Sequence, residues 1–169
     1  MLHRRQFLQH GLAAAGAIAA SSPTSAQQPR ARFPFPVVDA HCHAGKGMNY
    51  GTKDPEAAPW TTFNDPERVL RQADEAGITQ TVISPISNTT YEQANAEIAG
   101  YVRKYPGKFV GFAKHDPNTE RGKIREMLIH EVRDLGLKGL KLHVVPTEEM
   151  LVTAQELQIP ILVHPPKVA

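Results

Sequence analysis

The sequence predicts an α/β fold built on a parallel sheet of about five strands with helices between them. Three observations carry this expectation. From residue 34 onward, short runs rich in Val, Ile and Leu alternate with longer stretches at helical spacing, and the alternation recurs along the chain, as successive βα units require. Two of the apolar runs close on a histidine, His43 and His164. The composition, 41% hydrophobic and 21% charged over 169 residues, is that of an ordinary globular chain, so a single domain with its own core is expected.

The strand candidates are residues 37–43, 79–85, 109–113, 139–144 and 160–164. Between the first two, Asp65-Pro66 caps and starts a helix whose apolar positions Val69, Leu70, Ala73 and Ala76 share one face, and Gly77 ends it. A second helix carries Tyr91, Ala94, Ile98, Tyr101 and Val102 and stops before Pro106-Gly107. A third carries Ile124, Met127, Leu128, Val132 and Leu135 up to Gly136, and a fourth starts at a Thr147 cap and carries Met150, Leu151, Ala154 and Leu157. Each stripe reads as the face that packs on the sheet. Residues 44–63 lack clear periodicity and make a connection of about 20 residues where βα loops usually run about 2 to 6. Such a loop is either a lid offering Met48, Tyr50 and Trp60 to a substrate or a surface insertion.

Residues 1–26 read as an export signal. Arg4-Arg5 precedes the apolar stretch Gly11 to Ala20, with Thr24 and Ala26 at the −3 and −1 positions of a cleavage site. That stretch is far shorter than the roughly 20 residues a membrane span needs. The order "RRQFLQ" resembles the twin-arginine export motif, which implies delivery to the periplasm as an already folded, metal-loaded protein. Residues 27–35 form a linker and residues 36–169 the domain. Cys42 is the only cysteine, so no intrachain disulfide is available and a core must hold the fold. The formal charge is +2, with Arg4 and Arg5 inside the segment expected to be removed. A chain this near neutrality points away from a nucleic-acid partner.

The stretch "VVDAHCHAG", residues 37–45, carries the chemistry. In a regular strand Asp39, His41 and His43 share one face and Cys42 points the other way, toward the helix layer. Two imidazoles two residues apart can meet on one ion. A catalytic zinc site takes three protein ligands and keeps a position for water, and His164, closing "PILVH", supplies a third candidate beside His41 and His43. In "GLKGLKLHVV", Leu140, Leu142 and Val144 take one side, which leaves Lys141 and His143 on the inner side of a curved sheet. A buried lysine is costly unless paired or modified. Either Lys141 or His143 reaches the metal region, Lys141 as a carboxylated ligand, or Lys141 pairs with Asp39 or Asp116; pairing is the cheaper reading. Asp39, Lys141 and His143 are therefore candidates near the site, and no residue is assigned a catalytic role. In "FAKHDPN" Asp116 bonds the local backbone of a turn, and His115 belongs to that turn or touches substrate. His130 reads as surface.

The segments "VVDAHCHAG", "GITQTVIS", "YPGKFVGFAKHDPN", "LGLKGLKLH" and "ELQIPILVHPP" resemble, in order and spacing, the amidohydrolase-related family (amidohydrolase 2) of metal-dependent TIM-barrel hydrolases. That group includes decarboxylases similar to aminocarboxymuconate-semialdehyde decarboxylase. The resemblance covers residues 36–166 and implies a partial (β/α)8 TIM barrel. It makes His41 and His43 the first-strand ligand pair and His164 the fifth-strand ligand. It further implies a divalent metal, zinc before manganese or iron, a small-molecule substrate and hydrolysis by metal-activated water. The family's sixth-strand histidine and eighth-strand aspartate have no counterpart in these residues. A complete barrel takes about 250 residues and this chain has 169, so the expectation is an incomplete barrel. Its apolar last strand, at residues 160–169, would offer an open edge for self-association. Two other readings stand beside hydrolysis: metal-dependent decarboxylation of an aromatic or unsaturated acid, and a catalytically inactive fragment.

Overall fold

The computed structural model describes residues 33–47, 62–88 and 90–164. The expected signal, most of the linker, and Met48, Tyr50 and Trp60 lie outside the described residues. Six strands, β1 (Val38–Gly47), β2 (Thr62–Asn64), β3 (Gln80–Pro85), β4 (Phe109–Lys114), β5 (Gly139–Leu142) and β6 (Ile161–Val163), form one sheet in the order β2-β1-β3-β4-β5-β6. Every neighbouring pair from β1 through β6 is parallel, and β2 lies antiparallel on the outer side of β1. Among the described residues the sheet is not closed: β2 and β6 are its edges.

All five expected strands are present, and β2 is an addition. Three residues are too few to show an alternation of their own, so the stretch read as an uninterrupted loop in fact begins and ends in strand. β1 runs on to Gly47, whose Cα partner is Thr62. β5 ends at Leu142 rather than at residue 144.

The helices α1 (Pro66–Ala76), α2 (Glu92–Lys104), α3 (Ile124–Arg133) and α4 (Glu148–Glu156) fall where the apolar stripes put them. In α1 the Asp65 carboxylate accepts the Glu67 N–H at 3.0 Å, Pro66 occupies the first turn, and Gly77 closes the helix at φ 78, a left-handed conformation that favours glycine. Replacing Asp65 with alanine is expected to lower the unfolding free energy by about 1 kcal/mol in urea titrations, with asparagine restoring most of it. Thr147 caps α4 through the Met150 N–H. Among the described residues no helix is long and apolar enough to cross a membrane.

The core lies between sheet and helices. Ile83, Ile98, Ile124, Leu128, Leu137, Leu140, Leu142 and Met150 are fully buried. A Cβ on Gly139 would fall 2.5 Å from the Phe112 ring, so the approach of β4 to β5 depends on the missing side chain.

One irregularity matters for function. Along β1, Asp39 pairs with Thr81 but Cys42 pairs with Ile83, so one extra residue bulges from the strand between them. Asp39 therefore aligns with Thr81 and His43 with Ser84, positions of opposite parity on β3. Asp39 and His43 do not share a face, because the alternation used to place them on one holds only in a strand without a bulge.

Candidate metal centre

Parallel strands deliver their carboxyl ends to one side of the sheet, where ligands of open and closed α/β folds gather. His41 and His43 lie in the second half of β1, His143 follows β5 directly and His164 follows β6 directly. The four rings form a cluster. Centroids are 5.2 Å apart for His41 and His43, 5.5 Å for His43 and His143, 5.2 Å for His143 and His164, and 6.5 Å for His41 and His164.

Within the cluster, His41, His43 and His143 each present one ligand atom, and these atoms all lie within 4.8 Å of one another. Ligands of one tetrahedral ion at about 2.0 to 2.1 Å stand about 3.4 Å apart, a difference that rotation of the rings covers. The sequence singled out His41, His43 and His164; the structure brings all three together and places His143, the less favoured candidate, inside the tightest group. The signal was the period of two in "GLKLH", which put His143 on the inner side but could not say how far β5 carries it.

His43 is held by its surroundings. Its Nδ1 lies 3.0 Å from the Pro85 carbonyl oxygen and 3.2 Å from the Ser84 hydroxyl. A carbonyl only accepts, so Nδ1 carries the proton and Nε2 keeps its lone pair for a ligand. Burial and the Lys114 ammonium push the His43 pKa down to about 4, against the pull of the Pro85 carbonyl. Burial, then Lys114 and Lys141, push His143 down to about 3. For His41, burial and Lys141 also lower it. These imidazoles are neutral near pH 7, the state that binds a metal.

The residues fit a cation. His143 Nε2 is buried without a hydrogen-bond partner among the described residues, a deficiency costing about 1–3 kcal/mol that a metal would relieve. An all-imidazole donor set suits zinc, copper, iron or nickel. His41 is exposed, so one side of the cluster is open.

Two lysines lie near enough to the imidazoles for their charges to act on them. Lys141 is fully buried and its Nζ donates to the Leu142 carbonyl at 3.2 Å. The pairing with Asp39 or Asp116 expected from the sequence does not occur. The Asp116 carboxylate is engaged by the Asn118 backbone and side-chain amides, and that of Asp39 by the His41 N–H. Lys114 is buried as well, with burial and then Lys141 pushing its pKa down to about 8.

His115 touches none of these groups. Its ring is fully enclosed between Glu120 and Glu131 at 2.9 and 2.8 Å, a role that sequence reasoning missed. Asp116 does bond the turn, and His130 is exposed, as expected. Cys42 packs on the core, and burial pushes its thiol pKa up.

Neither a family model nor a curated protein sequence matches the chain. Its structure is similar to that of a provisionally assigned amidohydrolase from Staphylococcus aureus, with 20% identity and a TM-score of 0.61 over 80% of this chain and 49% of that one. It is similar also to 2,6-dihydroxybenzoate decarboxylase from Rhizobium, with 17% identity and a TM-score of 0.58 over 79% of this chain and 51% of that one. A third is 5-carboxyvanillate decarboxylase from Novosphingobium aromaticivorans, complexed with manganese, with 19% identity and a TM-score of 0.53 over 59% of this chain and 34% of that one. This chain spans about half the length of these proteins, or less. What the likeness shows is the fold, part of a TIM barrel, present here as an open, mostly parallel sheet that carries a histidine cluster at its carboxyl edge.

Proposed function

We propose that the chain belongs to a metal-dependent hydrolase of the amidohydrolase-related family and holds a divalent cation through His41, His43 and His143, with His164 completing the ring. The observation that carries this reading is the convergence of His41 and His43 from β1 with His143 at the end of β5, whose buried Nε2 has no hydrogen-bond partner among the described residues, and with the His164 ring at the end of β6. When bound, a divalent cation supplies Lewis acidity, polarising a carbonyl and lowering the pKa of a coordinated water to about 7. The chain's own groups do the rest. Pro85 and Ser84 fix the tautomer of His43, the exposed edge at His41 admits substrate, and burial, reinforced by the charge of the lysines, keeps the imidazoles unprotonated. Zinc suits the donor set; manganese, present in the N. aromaticivorans decarboxylase, is the second choice. Delivery by the twin-arginine route to the periplasm, read from "RRQFLQ", belongs to the same proposal.

Decarboxylation is the second reading, favoured by the decarboxylases among the similar structures. Release of carbon dioxide without incorporation of solvent oxygen separates it from hydrolysis. Metal analysis of the purified full chain tests what both readings share. About one equivalent of divalent metal is expected, falling to background in His41→Ala/His164→Ala; a wild-type content no higher than that variant's sinks the proposal.

A further inference from the structure

Lys114 and Lys141 are direct partners across the β4–β5 ladder, so both side chains rise from the same face of the sheet. Their residues are 2% and 0% exposed. The Lys114 ammonium donates to Ser87 Oγ at 3.2 Å and lies 5.4 Å from the centre of the Tyr91 ring. That of Lys141 reaches one backbone carbonyl, Leu142 O. Neither is within ion-pair distance of a carboxylate among the described residues, whose ion pairs all involve other cations; Asp116 acts on Lys114 only as a more distant charge.

Like charges directly opposite on a ladder repel, and a buried ammonium without a counter-charge is strongly unfavourable. Each ammonium also has three N–H donors, more than these contacts use. The neighbouring imidazoles offer no negative charge, and a cation held by them would add to the excess. What the arrangement lacks is an anion with more than one acceptor oxygen.

We propose that Lys114 and Lys141 form an anion-binding subsite beside the histidine cluster, which takes a carboxylate of the substrate between the two ammonium groups while the rest of that molecule faces the imidazoles. The substrate sense of this inference rests on the metal-enzyme reading above; the subsite itself needs no metal.

The test is calorimetric titration of the full chain, stripped of metal by a chelator, with sodium benzoate at constant ionic strength. Saturable binding at one site is expected. Lys114→Met and Lys141→Met should each weaken it by about tenfold or more, the worth of one charge-assisted hydrogen bond. Lys108→Met, which alters an exposed cation paired with Asp74, should leave it unchanged. A crystal structure of wild-type protein with benzoate needs no variant to fold and should place the carboxylate within hydrogen-bond distance of both Nζ atoms. Absence of saturable binding, unchanged affinity in folded methionine variants, or a carboxylate seated elsewhere overturns the proposal. Because the titration is metal-free, its failure leaves the metal centre standing, and loss of metal in the histidine variants leaves the lysine subsite standing.

Discussion

Replacing His115 with leucine is expected to lower the unfolding free energy by about 3–5 kcal/mol, the cost of removing one partner from a buried ion pair. The imidazole donates from Nδ1 to Glu120 Oε2 and from Nε2 to Glu131 Oε2. Both ring nitrogens face carboxylate oxygens, so both carry protons and the ring is an imidazolium. Around it, Glu120 also accepts the Tyr91 N–H at 2.6 Å and the Asp116 N–H at 3.1 Å. Glu131 accepts from Asn95 Nδ2 at 2.7 Å, and Asn95 bonds both the N–H and the carbonyl of Lys114. One ring thus ties the end of β4 to the start of α2, to α3 and to the turn between. Leucine would leave two carboxylates buried and facing each other without a cation. Urea titration with matched slopes measures the loss; an effect below about 1 kcal/mol, within reach of an ordinary surface substitution, would sink this account.

The same group sets a pH dependence. Burial pushes the His115 pKa down, but hydrogen bonds and charge from Glu120 and Glu131 outweigh it and raise it to about 9. A pKa raised above the unfolded value means that the folded chain holds the proton more tightly. The stabilisation is complete below about pH 6.5 and is lost as pH rises through about 9, by about 3 kcal/mol. Unfolding free energies measured from pH 6 to 10 should fall on this limb for wild type and lose most of that slope in His115→Leu. Equal slopes in the two proteins contradict it.

The second large effect lies at the metal centre. His43→Ala is expected to raise the dissociation constant for zinc by more than 100-fold, since groups that merely orient a ligand are worth about 10- to 100-fold. Ser84→Ala, which removes one of the two groups at His43 Nδ1, should fall at the lower end of that range. The geometry also ranks two histidines. His143 belongs to the group whose ligand atoms lie within 4.8 Å, and His164 stands at its margin, so His143→Ala should weaken zinc more than His164→Ala. The reverse order, read by competition with a chromogenic chelator, would restore the ranking expected from sequence.

The parallel order of β1, β3, β4, β5 and β6, the Asp65 and Thr147 caps and the Gly77 stop were legible in the sequence. Each depends on neighbours a few residues away: an apolar period, an acceptor before a helix, a glycine after it. The closeness of His41 and His43 was legible for the same reason. The bulge in β1 was not, because a register shift is defined by the partner strand, and it separated Asp39 from the face of His43. Nor was the seat of His115, whose partners lie 5 and 16 residues away: one is on a turn, and the other, Glu131, falls within the apolar stripe of α3, where the spacing turns a carboxylate inward without saying what it meets. Lys141 shows the same division: the sequence by itself determined that it points inward, and only the tertiary structure decided that Lys114, not a carboxylate, stands beside it. Local spacing fixes which way a side chain points, whereas which charges meet depends on how strands far apart in the chain are aligned and how the sheet curves, quantities that no short window contains.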